Sequence, residues 1–484
     1  MNKYVSQFQM LIPFKIDGMS ICLFGLLILL ISGCGNDENT VAKFGPHKIS
    51  IEEYRLAYLQ VLKQPNVYDS ADLREKFLDE LINRTLISEW AEKNYPADEK
   101  VELRVDAFRN KSLREAYYQE TVEPRVSIDS NLVDKIYAYT TQRRKIKHLF
   151  LETKDQADEI YKRLENGESW KSLAGKVFND KILSENGGDL GWVHWDQLEY
   201  DMAMTAFSQP VNTFGTPVKS TYGWHIIFVE NIEINPMLTD TQLQQHRRET
   251  ELLIKQRIGD KMAGKQIEDL MKDISIQVRP QVMQLVGEHL KTILNRKPNP
   301  FDKMENMQLT EQEQQSIESR LWDYRNETLA IIDGQDMTVT WFMGNLDYVP
   351  YEAIHHSFKT ALDYAIRDFV LTAEAQKANL SSKYPEIDLK TRIFKEYLQQ
   401  SRVKRLMVRQ TQIDDNELKD FYNSRKQELF SNASFDEVKE QIKPILLAKK
   451  QRDNIGYFIN RLRSNYKIKK NLNPIHEFYD RLSQ

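Results

Sequence analysis

The chain has 484 residues, 41% of them apolar and 29% charged, with a net charge of −4 and both signs interspersed. That length exceeds one ordinary core and implies roughly two to four domains. The balance is that of a globular, helix-rich protein without the basic face of a nucleic-acid binder, so no nucleic-acid partner is expected.

The first residues differ from that globular class. Lys3 and Lys15 precede an apolar run, Ile21 to Ile31, broken by Gly25. A basic stretch followed by an apolar run too short to span a bilayer is the layout of a secretory signal. The run ends Leu30-Ile31-Ser32-Gly33-Cys34, which resembles the lipobox of bacterial lipoproteins. The resemblance implies a signal peptide over 1–33, cleavage before Cys34, and lipid on Cys34 that ties the chain to a membrane. The other reading is an ordinary signal anchor that contains a cysteine. Residues 34–39 are polar and read as a tether. The other cysteine, Cys22, lies in the leader. The mature chain would then have no disulfide, thiolate metal site or catalytic thiol.

Thr40 to Phe44 reads as a short strand closed by Gly45-Pro46. Ser50 and Glu53 fit a capping box that starts a helix. Helical periodicity continues through Leu56, Leu59, Leu73, Phe77, Leu81 and Ile87, then from about Glu102 to Glu120, where Pro124 stops it. The pattern changes at Arg143. Ile146 to Leu151 alternates as a strand, Asp155 to Asn166 is an amphipathic helix, and Trp170 to Val177 is a second helix. A short helix around Asp201 to Phe207 and a strand from Trp224 to Val229 complete a compact α+β unit. Between them lies Asn186-Gly187-Gly188-Asp189-Leu190-Gly191-Trp192. Glycine loses more conformational freedom on folding than any other residue, so this cluster marks backbone with positive φ or a close approach.

Thr239 to Ile274 is helical and highly charged. After it the chain starts again. Thr328-Leu329-Ala330-Ile331-Ile332-Asp333-Gly334 resembles Thr40-Val41-Ala42-Lys43-Phe44-Gly45-Pro46. Ile413-Asp414-Asp415-Asn416, ending at Tyr422, repeats Ile128-Asp129-Ser130-Asn131, ending at Tyr137, at equal spacing. This reads as a duplication whose second copy lacks the α+β insert.

The α+β unit resembles the parvulin family of peptidyl-prolyl cis/trans isomerases. The motifs are Ile146-Lys147-His148-Leu149, the glycine stretch 186–192, Pro217-Val218 and Tyr222-Gly223-Trp224-His225-Ile226-Ile227. The resemblance implies a four-stranded antiparallel sheet with surrounding helices. It implies His148 and His225 as the paired central histidines and Asp180 as the third polar group, with Lys181 on that position in the alternative alignment. Leu190, Leu198, Met202, Phe207 and Tyr222 would line the substrate site. Glu152-Thr153-Lys154-Asp155 replaces the basic cluster of phosphate-preferring members, so no phosphate preference is expected. Rotation about an X–Pro bond crosses roughly 18–20 kcal/mol of lost amide resonance but breaks no bond. An apolar cup with a small polar network is enough, and no cofactor or metal is expected. His355-His356 has no companion ligands and reads as helix surface.

The flanking helices resemble those of SurA- and PrsA-type extracytoplasmic foldases. The expected organisation is therefore a helical chaperone region over 40–142, a parvulin domain over 143–232, a returning helix of the first core over 233–278, and a second helical copy without an isomerase over 279–484. The partners implied are unfolded exported polypeptides containing X–Pro bonds. The location implied is the cell envelope, facing the periplasm. Gly35 in place of aspartate after Cys34 favours the outer membrane. Two other readings stay open: a holdase with weak turnover, and a scaffold lipoprotein for envelope assembly. Trp341, Phe342, Phe358, Tyr364 and Phe369 are candidates for an apolar client surface or for ordinary core.

Overall fold

The computed structural model describes residues 39–64, 67–220, 222–234, 240–294, 307–430 and 433–482. The expected leader, Cys34 and the tether up to residue 38 lie outside the described residues. In chain order the elements begin with β1 (Thr40–Phe44), β2 (His47–Ser50), α1 (Ile51–Leu62), α2 (Ala71–Asn94) and α3 (Glu99–Thr121). The inserted part follows: α4 (Ser130–Thr140), β3 (Gln142–Leu151), α5 (Lys154–Glu165), α6 (Trp170–Val177), α7 (Lys181–Asn186), β4 (Asp189–His194), α8 (Tyr200–Ser208), β5 (Thr213–Phe214), β6 (Val218–Lys219) and β7 (Trp224–Ile234). Then come α9 (Asp240–Met271), β8 (Ile276–Val278), α10 (Pro280–Ile293), α11 (Glu311–Leu321), β9 (Thr328–Ile332), β10 (Gln335–Thr338), α12 (Val339–Asn345), α13 (Tyr351–His356) and α14 (Phe358–Lys377). The chain closes with α15 (Leu380–Lys383), α16 (Glu386–Gln410), α17 (Asp415–Arg425), α18 (Phe435–Arg463), β11 (Lys469–Lys470) and α19 (Asn473–Leu482).

The chain divides into two compact units, each discontinuous in sequence. One takes residues 114–342 and 346–378. The other takes the N-terminal elements up to Leu113, a short piece at 343–345, and everything from Asn379 onward. In the second of these, β1 and β2 form a hairpin, and the third strand is β11 from the far end of the chain, with Ala42 opposite Lys470. Val41, Phe44, Tyr54, Tyr58, Leu78 and Ile82 pack there with Val403, Phe458, Ile475 and Tyr479. Ser50 caps α1 by accepting the Glu53 N–H at 3.1 Å. The other half of the expected capping box is absent, because the buried Glu53 carboxylate accepts from Arg392 at 2.7 Å instead.

In the first unit, β9 and β10 form the matching hairpin, and its third strand is β8, which directly follows α9. Segment 233–278, expected from sequence as the returning helix of the first core, leads into β8, which pairs with β9. β8 thus adds to the hairpin at 328–338, while β11 from the far end of the chain adds to the hairpin at 40–50. The echo in sequence is real at the level of caps. Asp129 caps α4 through the Leu132 N–H, and Asp414 caps α17 through the Asn416 and Glu417 N–H groups. Phe342 and Tyr364 are buried, with Phe342 edge-on to Phe358, so these aromatics serve as core.

The isomerase-like part of this unit is an antiparallel sheet in the order β4-β3-β7, with an outer position on β7 shared by β5 and β6. Helices cover both faces. One face buries Ile146, Ile227 and Val229 under α4 and α8, and α9 adds Ile254 to the same cluster. The other face buries Leu149, Leu151 and Ile226 under α5 and α6. The alternation of β3 therefore feeds two cores, as its period of two requires.

Candidate active site

The glycine stretch is the turn from α7 into β4. Gly187 ends α7 in the left-handed conformation, and its carbonyl accepts from the Trp170 indole at 2.8 Å. Gly188 follows at φ +69°, where a Cβ would lie 2.0 Å from the His148 carbonyl oxygen. Its own carbonyl accepts the His148 N–H at 2.9 Å. Only glycine lets the turn approach β3 this closely at positive φ. Beyond it the β3–β4 register slips between Ile146 and Lys147, leaving Leu190 as the extra residue of a bulge.

That contact seats the backbone of His148. Across the sheet His225 stands on β7, opposite Phe150. The two imidazoles meet through their Nδ1 atoms at 2.9 Å, with nearly parallel planes. His225 Nε2 lies 2.7 Å from Ser220 Oγ, which also accepts the Tyr222 N–H at 3.0 Å. One Nδ1 must carry a proton for the other to accept it, so the pair is held together only when at least one ring is neutral. Burial holds His148 down at about 4; burial and then the neighbouring His148 hold His225 at about 4 as well. Both rings are thus neutral in ordinary buffers. Sequence reasoning missed Ser220. Its only signal was a hydroxyl between the Pro217-Val218 and Tyr222-Gly223 motifs.

The other candidates fall into two groups. Met202 and Phe207 are buried on α8, with Leu198 packed against the same cluster as Ile146 and Ile227. Leu190 and Tyr222 are exposed, Tyr222 to 66%. Asp180 is also exposed. It caps α7 by accepting the Leu183 N–H at 2.9 Å, so its carboxylate is engaged with helix backbone and not with the histidines. Lys181 pairs loosely along α7 with Glu185 at 3.9 Å. Arg144 is buried, donating to the carbonyls of Ala206 and Gln209 at 2.6 Å each with its guanidinium over the Phe207 ring. It fixes the C-terminal end of α8.

The arrangement is a sheet-borne pair of neutral imidazoles closed by a serine, on the sheet face whose core holds Leu198, Met202 and Phe207. Such an uncharged polar network suits chemistry that grips and reorients a group without covalent change.

The family described as PPIC-type PPIASE domain matches residues 122–233. The foldase protein PrsA of Oceanobacillus iheyensis is 23% identical over 282 residues, 55% of this chain and 92% of that protein. A parvulin-like PPIase of Rickettsia bellii is 26% identical over 223 residues, 43% of this chain and 74% of that protein. A crystal structure of the peptidylprolyl isomerase PrsA from Bacillus anthracis is 20% identical, covering 40% of this chain and 94% of that one at a TM-score of 0.22.

Proposed function

Because this chain belongs to the parvulin-type peptidyl-prolyl cis/trans isomerases that carry chaperone regions, we propose that it assists folding outside the cytoplasm by rotating X–Pro bonds in the pocket beside His148 and His225. The proline ring would sit on Met202 and Phe207, with Leu198 as a wall and Leu190 and Tyr222 at the rim. Excluding water from the amide favours the twisted form, which carries less charge separation than the planar one. The single observation that carries this reading is the His148–His225–Ser220 chain of short contacts beside an apolar floor. Such a network presents a fixed, uncharged polar edge to the twisting amide, with no reorganisation during the reaction. Asp180 is the third polar group in this reading, entering once a client chain draws its carboxylate from the helix cap.

Clients would be unfolded exported polypeptides. Lipid on Cys34 would anchor the chain in the envelope facing the periplasm, at the outer membrane where there are two. A second reading, a holdase with weak turnover, is favoured by the engagement of Asp180 in the α7 cap. The deciding experiment is isomerisation of an X–Pro peptide series by the chain from Gly35 onward, beside a His148→Ala, His225→Ala double variant. Acceleration that the folded double variant lacks supports the isomerase. No acceleration by folded protein favours the holdase.

A further inference from the structure

Helix α9 lies beyond the matched residues 122–233, yet it reaches the pocket. Arg257 Nη1 donates to the Trp195 carbonyl at 3.0 Å, and Nη2 donates to the Leu198 carbonyl. Its guanidinium also stacks 4.2 Å above the Trp195 ring, which is fully buried. Trp195 to Gln197 is a single 3-10 turn, and Leu198 is the residue that ends it. A planar guanidinium bonded to both ends of that turn fixes its span, which a lysine's single ammonium does less well. Leu198 packs against the same cluster as Met202 and Phe207, so the corner held by Arg257 is also the corner that carries the pocket wall. The neighbouring Lys261, one turn further on, behaves differently. It makes an ion pair with Asp201 at 2.7 Å in which both side chains are largely exposed, and such pairs contribute little.

We propose that Arg257 is a positioning residue for the isomerase: by bridging the Trp195 and Leu198 carbonyls it holds the pocket wall in its working place, so the site depends on a helix outside the isomerase domain. This rests on the reading of Leu198, Met202 and Phe207 as the proline pocket. Arg257 touches no substrate and acts through Leu198. Its loss should therefore weaken the grip on proline more than it slows rotation of a bound peptide.

The test uses the chain from Gly35 onward with Arg257→Met, which keeps the aliphatic stem over Trp195, Arg257→Lys, which keeps stem and charge, and Lys261→Met as a control on the same helix. Peptide Kd is measured by calorimetry, KM and kcat by isomerisation, and folding by thermal melting. Arg257→Met should raise Kd and KM roughly tenfold or more with little change in kcat, as expected for two lost bonds from a charged donor. Arg257→Lys should recover part of that loss, and Lys261→Met should match wild type. Unchanged Kd and KM in folded Arg257→Met would overturn the inference. So would an equal loss in Lys261→Met, which would reduce Arg257 to general docking of α9. If Arg257→Met does not fold, Arg257→Lys decides: weakened binding supports the role and wild-type binding overturns it. A wild type that binds peptide without turning it over removes the isomerase reading but leaves the Kd comparison decisive, whereas one that neither binds nor turns over removes both.

Discussion

Gly188 and Gly191 have nearly the same backbone angle, φ +69° and φ +70°, but different surroundings. At Gly191 a Cβ meets nothing within 4 Å, whereas at Gly188 it would lie 2.0 Å from the His148 carbonyl oxygen and 2.9 Å from the Phe178 ring. An L-residue in the left-handed region costs about 1–2 kcal/mol. Gly191→Ala should therefore cost about that much and little more. Gly188→Ala bears the same cost and must also push the turn off β3. The His148 N–H bond to Gly188 and the Gly188 N–H bond to Leu183 then lengthen together, at about 1 kcal/mol each. No rotamer relieves a clash with backbone, so the total should reach about 3–4 kcal/mol. Whole-chain melting would blur this in a molecule of two units. Hydrogen exchange of the amides along β3 reads the local opening free energy directly. Equal losses for the two variants, or undiminished protection of the His148 amide in Gly188→Ala, would refute the claim that this turn seats the histidine.

The histidine pair sets the response to acid: with both rings neutral down to about 4, kcat/KM should stay flat from about pH 8 to about pH 6 and fall only as pH nears 4. Stability of the isomerase part should be lost over the same descent from about 6.5, because the unfolded imidazoles bind protons that the folded ones refuse. Asp260 behaves in the opposite sense: burial raises its carboxyl to about 7 against the pull of Arg257, and its Oδ1 is buried without a hydrogen-bond partner. Its contribution is present below about pH 4 and lost as pH rises through 7, so Asp260→Asn should flatten that slope and gain on the order of 2 kcal/mol at pH 8, as read by urea unfolding across pH. Separately made chains covering 39–294 and 307–484 should each lack the third strand of their own hairpin and gain helical circular dichroism on mixing; two fragments that fold fully when alone would remove the strand exchange.

Legibility in the sequence followed the range of the forces involved. α6 was readable to the residue, because Ser169 and the apolar spacing around Leu173 are local signals. β3 was readable because its alternation feeds two cores. The resemblance supplied His148 and His225, and their apposition needed the register of β3 against β7. α7 and β4 were not readable, because the glycine turn between them carries no periodicity. Ser220 was missed because its role exists only once the β6–β7 turn folds back on His225. Glu53 fits a capping box by spacing, but Arg392, far along the chain, takes its carboxylate. No local pattern can register such a competitor.

The strand exchange was hidden for a deeper reason. A two-stranded hairpin is marginal alone and recruits a third strand, and this chain offers its two hairpins, at 40–50 and 328–338, two candidates, β8 and β11. Loop closure does not choose between them. The observed pairing closes loops of about 50 and 430 residues, while the unexchanged pairing would close about 235 and 140, a difference of only about 0.4 kcal/mol. The choice must lie in side chains, and both returns are matched to what they meet. Ile276 and Val278 lie against Ile332 and Ala330, an apolar ladder. β11 is Lys469-Lys470, and Lys470 bonds Glu75 and Asp79 of α2 at 3.0 Å each. Arg463 reaches Asp79 and Asn83, and the Tyr466 hydroxyl reaches Glu89, all on that same helix. The acidic side of α2 thus selects the basic return at 463–470, and the apolar hairpin at 328–338 selects the strand that follows α9. β8 thus carries the chain from α9 to the hairpin at 328–338, and Arg257 on that same helix bonds the Trp195 and Leu198 carbonyls.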